Sequence, residues 1–126
     1  MIRNAADWFE IPAANLERAM DFYEKVFDFK LQPMELANKL RMAMFPIDPS
    51  QGVGGALCQH SEFYTPSQTG TLVYLNADPD LAVALGRVEK AGGRVLVPKS
   101  QISPEYGYMA VFIDCEGNRV ALHSRG

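Results

Sequence analysis

The feature that most restricts the fold is a strand, a capped turn and an amphipathic helix that occur twice, half a chain apart. In the first copy Trp8, Phe9 and Ile11 form a short strand-prone run that Pro12 closes. Asn15 stands where a helix N-cap belongs, its side-chain oxygen free to accept from the first amides of the helix. Leu16, Ala19, Met20, Tyr23 and Phe27 then follow at helical spacing, while Glu17, Arg18, Asp21, Glu24 and Lys25 lie mostly off that stripe. The second copy runs from Thr71: Leu72 to Leu75 is an apolar strand, Asp78-Pro79-Asp80 a turn and cap, and Leu81, Ala84, Leu85 and Val88 a helical stripe closed by Gly92-Gly93. An offset of about 64 residues is too long for a solenoid repeat and suits a duplicated domain half.

The remaining segments complete each copy in the same way. Phe29 to Met34 reads as an edge strand interrupted by Pro33, Leu40 to Phe45 as a better strand, and Gly54 to His60 as the closing strand of the first half. Residues 61–70 carry the turn and breaker residues of a linker. In the second half Arg94 to Val97 forms a strand that stops at Pro98, and Lys99 to Tyr108 is expected to be a long functional loop with Tyr106 and Tyr108 beside a pocket. Met109 to Ile113 and Arg119 to His123 are strands joined by the Asp114–Asn118 turn. The expectation is one α+β domain over 1–126. It has two tandem β-α-β-β-β modules, 1–62 and 70–126, whose curved mixed sheets form a cup with the helices on the outer face.

Bulk properties narrow the function classes. A net charge of −3 with interspersed signs argues against nucleic acid, which needs a basic face. No apolar run approaches the roughly 20 residues of a membrane span, and the first residues lack the apolar core of a signal peptide. Two cysteines, Cys58 and Cys115, do not make a disulfide framework and are read as reduced thiols. A cytoplasmic location is expected. The glycine-rich Gly52-Val53-Gly54-Gly55 lacks the strand-before, helix-after context of a nucleotide loop. Met20, Met34, Met42 and Met44 read as core rather than as a recognition surface.

Strand alternation groups the chemistry-bearing residues on one face. Glu10 shares a face with Trp8, Cys58 with Ala56, His123 with Ala121, and Tyr74 and Asn76 with Leu72. Such a surface is mostly apolar with a few oriented polar groups, the usual make-up of a small-molecule pocket and equally of a packed core. Glu10 is expected in a buried or semi-buried polar network, with Glu10 and His123 the candidates for proton transfer and Glu10, Cys58 and His123 the residues that could hold a divalent ion in a non-standard site.

The segments WFEIPAANLERAMDFYEKVF, GGALCQH, TPSQTGTLVYLNADPDLAVALGRVEKAGGRVLVPK and FIDCEGNRVALHS together resemble the vicinal oxygen chelate superfamily, which includes glyoxalases, bleomycin-resistance proteins and extradiol dioxygenases. The resemblance is to its glyoxalase-related subgroup. It implies paired modules around a cup and, in metal-dependent members, four His or Glu ligands. Those positions fall here on Trp8, Leu72, Ala121 and, within one or two residues, Ala56, none of which can hold a divalent ion. The resemblance thus implies a homodimeric, metal-free protein without cofactor that binds a small, partly apolar molecule through Trp8, Cys58, Leu72, Tyr74, Asn76, Tyr106, Tyr108 and Ala121. The alternatives are a glyoxalase-type lyase or isomerase working through Glu10 and His123, and a structural dimer without ligand.

Overall fold

A computed structural model describes residues 4–48 and 50–126. Among these, two four-stranded mixed sheets form an α+β fold. Sheet one has the order β1-β4-β3-β2, from Trp8–Pro12, Gly54–Gln59, Arg41–Met44 and Gln32–Glu35. Sheet two repeats it as β5-β8-β7-β6, from Tyr74–Asn76, Arg119–Ser124, Gly107–Ile113 and Arg94–Ser103. In each sheet the first and last strands of a half run parallel, β1 with β4 and β5 with β8, and the other pairs are antiparallel. The two sheets do not join into one, and β1 and β5 remain edge strands.

Helix α1, Leu16–Phe27, forms as its sequence dictates: Asn15 accepts from the Arg18 amide at 3.0 Å, and Leu16, Ala19, Phe22, Tyr23 and Val26 are buried. The second-half helix is not continuous. It divides into α2, Leu81–Leu85, and α3, Val88–Ala91, on either side of Gly86, the poorest helix former in the stretch. The three α-helices pack on one side of the sheets, over a core that joins Ile11, Ala43 and Leu57 to Leu75, Ala110, Phe112 and Leu122. Because side chains alternate along a strand, the other face of each sheet carries a different set. That helix-free side is the front face.

Two expectations fail at β6. The strand does not stop at Pro98 but continues to Ser103, with register shifts at Val95/Val97, Val97/Ser100 and Gln101/Ser103. An edge strand tolerates a proline at such an irregularity because its missing N–H is not needed for the ladder. The expected loop from Lys99 to Tyr108 is therefore mostly strand, and only a tight turn before Gly107 remains. Likewise Met34 is 43% exposed and is not a core residue, whereas Met42 is buried. No helix among the described residues is long and apolar enough to cross a membrane.

Candidate functional site

The front face of sheet one is set by register. Trp8 lies opposite Gly54, Glu10 opposite Ala56 and Pro12 opposite Cys58, while Met42 and Met44 pair with Cys58 and Ala56 from β3. Met42, Ala56 and Cys58 make a small apolar cluster separate from the main core, with Leu40, Met44 and Tyr64 packed against it. Tyr64 comes from the linker, which folds back onto this face. Its hydroxyl donates to Glu10 Oε1, and Trp8 Nε1 donates to Glu10 Oε2 at 3.3 Å. Both carboxylate oxygens are thus held by neutral donors.

Glu10 itself is exposed, not buried or semi-buried as expected. The reason is positional: β1 is an edge strand, and Glu10 stands at the open border of its face. The carboxylate raises the pKa of the Tyr64 hydroxyl, with burial and Cys58 adding to the effect, so Tyr64 is a firm donor. Burial pushes the Cys58 thiol up to about 12, and the neighbouring Glu10 charge reinforces it. Cys58 is then an inert thiol beneath the surface, since thiolate character is what makes cysteine reactive.

In sheet two the ladder places Tyr74 opposite Ala121 and Asn76 opposite His123, with Val111 and Met109 beyond them. Tyr74 is 49% exposed. Asn76 Oδ1 accepts from the Asp78 amide at 2.9 Å and so braces the turn into α2. His123 Nε2 donates to the Tyr106 carbonyl at 2.6 Å, which ties the ring to the turn before β7. Leu72 is half-buried just before β5, and Ala121 is fully buried.

The two halves superpose in their hydrogen bonding. Ala13 N donates to Cys58 O and Ala77 N to His123 O, each at 2.8 Å. Pro12 thus corresponds to Asn76, Glu10 to Tyr74, Trp8 to Leu72, and Ala56 to Ala121. Tyr108 does not belong to this surface. It pairs with Ser124 on the helix side, where Lys99 Nζ lies 4.5 Å over its ring. Tyr106 presents only its carbonyl to His123, its ring being exposed in the turn. No hydrogen bond links Glu10 and His123 among the described residues, and they stand on different sheets. Tyr64 is the site residue that sequence reasoning passed over. Only its aromatic character within a breaker-rich segment marked it.

A family model for the Glyoxalase/Bleomycin resistance protein/Dioxygenase superfamily matches residues 5–122. The chain belongs to that superfamily. A glyoxylase-like domain-containing protein of Didymella fabae is 32% identical over 122 residues, covering 92% of this chain and 90% of its own. A glyoxalase I variant from Zea mays matches with a TM-score of 0.70 at 21% identity, over 94% of this chain and 46% of the maize chain. This chain therefore spans about half the length of the maize protein. A glyoxylase/bleomycin resistance protein/dioxygenase domain from Frankia sp. EAN1pec matches with a TM-score of 0.71 at 15% identity over 98% of both chains. These two structural likenesses speak to the fold.

The superfamily's metal can be tested against the residues present. The equivalence of the halves puts Trp8 with Leu72 and Ala56 with Ala121 at the four ligand positions that the resemblance implies. An indole, an isobutyl group and two methyls supply no donor for a divalent ion, whichever copies of the chain face one another. Glu10, Cys58 and His123 do not replace them: among the described residues no group of three His, Cys, Asp or Glu side chains is placed to hold an ion. The residues do not fit the metal.

Proposed function

We propose that this superfamily member binds a small, partly apolar molecule on its front face without the metal used by other members. The observation that carries the reading is the Trp8–Glu10–Tyr64 group: an exposed indole and a carboxylate held by two donors, at the border of the Met42, Ala56 and Cys58 cluster. An apolar floor with a few oriented polar atoms is what small-molecule sites are made of. The same exposed apolar surface, with Trp8, Met34 and Tyr74 each between two-fifths and half exposed, supports a homodimer that covers it. Reduced Cys58 and Cys115 fit a cytoplasmic setting. The lyase or isomerase reading, through Glu10 alone or with His123, has less support, because the Glu10 carboxylate is exposed and accepts from Trp8 and Tyr64, and no hydrogen bond among the described residues links it to His123.

The test is a thermal-shift screen of small metabolites on wild type and Glu10→Gln. A bound ligand at a hundredfold excess over its Kd stabilises the native state by about 2.7 kcal/mol. The reading expects at least one apolar metabolite to raise the melting temperature and Glu10→Gln to change its affinity, with no turnover in either protein. Catalytic consumption of a hit that Glu10→Gln abolishes supports the enzyme reading instead. The absence of any hit supports the structural dimer.

A further inference from the structure

Several glutamates of this chain face a cation: Glu17 and Glu35 meet Arg41, Glu24 meets Lys30 and Glu116 meets Arg18. Glu10 is held differently. Tyr64 donates its hydroxyl to Oε1 and Trp8 Nε1 donates to Oε2 at 3.3 Å, both neutral groups on aromatic rings. Among the described residues no Lys, Arg or His stands at salt-bridge distance from it. The charge is thus fixed in place and left without a counter-ion. Its neighbours feel it, for after burial it is the Glu10 charge that raises the Cys58 thiol. An ionised carboxylate has about four acceptor positions, so each oxygen can still accept once more. Carboxylate and indole are both open to solvent, Trp8 being 43% exposed, and a ligand reaches them from outside.

We propose that Glu10 and Trp8 bind a small organic monocation, an ammonium group carried on an apolar or aromatic body. The proposal rests on the reading that the Trp8 surface takes a ligand, and it names the ligand's class. An ammonium N–H takes the remaining lone pair of Glu10 Oε2, a charge-assisted hydrogen bond of the stronger kind. That oxygen already lies against the indole nitrogen, so the positive charge comes within reach of the ring, which attracts cations within about 6 Å of its centroid. Because Tyr64 and Trp8 fix the carboxylate before binding, less ordering cost falls on the ligand. The body has an apolar place to lie. A cleft of about 370 Å³ at the β1 edge is lined by Trp8 and Glu10 and also by Val73 and Val120, a volume in the range of small-ligand sites. Arg119 lines the same cleft, with Nη2 donating to Gly70 O and Nε buried. Its charge opposes a second positive group in that space, so the class is a monocation and not a polyamine.

Trp8 is the sole tryptophan, so its fluorescence reports on this site without a label. The probes are 2-phenylethylamine, its neutral counterpart 2-phenylethanol, the anion phenylacetate and the polycation spermidine. The amine is expected to change the Trp8 emission saturably at neutral pH and to bind roughly tenfold tighter than the alcohol, with phenylacetate weakest. Glu10→Gln keeps the shape of the side chain and removes its charge, and is expected to bring amine and alcohol to equal affinity. Thermal melting checks that the variant is folded when titrated. Equal binding of amine and alcohol by wild type, tighter binding of phenylacetate, or an amine preference that survives Glu10→Gln overturns the cation while leaving a ligand site at Trp8 intact. Tighter binding of spermidine than of the amine overturns the monocation. No saturable response to any probe up to millimolar concentration overturns the site at Glu10. A metabolite hit in the thermal-shift screen then keeps the parent reading standing, and the absence of any hit removes both.

Discussion

At the scale of single residues, the front face works by keeping its polar atoms occupied. Glu10 accepts one hydrogen bond on each oxygen, from Trp8 and Tyr64, and Cys58 is held as a thiol. Burial first, then the Glu10 charge, raises the Cys58 pKa from 9.0 to about 12. A group whose folded pKa exceeds its unfolded value stabilises the fold fully below the unfolded value and loses that contribution as pH rises. Wild type should therefore lose stability as pH climbs from 9 towards 12, by a margin that Cys58→Ala lacks. Urea unfolding of both proteins at neutral and alkaline pH measures the difference, and parallel alkaline limbs contradict it. The side-chain alternation that put Glu10 with Trp8 and Cys58 with Ala56 was legible in the sequence, because the period of two is strict within a strand. Tyr64 was not, since no local periodicity tells where a linker side chain lands.

At the scale of elements, the two halves are tied where α1 begins. Glu116, in the β7–β8 turn, accepts from the amides of Ala14 and Asn15 at 2.9 and 2.8 Å and pairs with Arg18 Nε at 2.5 Å. Beside it Tyr23 donates to Asp114, and Asn118 Nδ2 donates to Pro12 O. The Glu116 side chain is fully buried. Burial pushes its carboxyl up, but the hydrogen bonds from Arg18 and the Asn15 amide outweigh burial and hold it below the usual range. A depressed carboxyl pKa stabilises the fold above the ordinary value, and the contribution is lost as pH falls through the folded one. Glu116→Gln should cost about 2 kcal/mol at neutral pH and should lose less stability than wild type on acidification. Denaturant midpoints at neutral and acid pH read both effects. No loss at neutral pH contradicts the tie. The Asn15 cap and the α1 stripe were readable from residue type and spacing. The extent of β6 was not: Pro98 ends a central strand, but not an edge strand with shifted register, and edge status is a property of the whole sheet. The division of the second helix at Gly86 was visible as a glycine, but one glycine does not always break a helix.

At the scale of the whole molecule, the repeated topology was legible as duplicated spacing, while the separation of the sheets was not, because nothing local marks whether β1 and β5 meet. Their front faces leave Trp8, Met34 and Tyr74 open to solvent. A homodimer that covers these faces is expected, and sedimentation at micromolar concentration should give twice the mass of one chain. A species of single-chain mass alone contradicts it. The central claim is that a ligand site persists at Trp8 where Trp8, Ala56, Leu72 and Ala121 offer no metal donors. The measurement that tests it most directly is the metabolite thermal-shift screen repeated after exhaustive chelation and again with added zinc or nickel. The result expected is a ligand-induced rise in melting temperature of the same size in all three conditions; a rise that vanishes on chelation and returns with the ion contradicts the account.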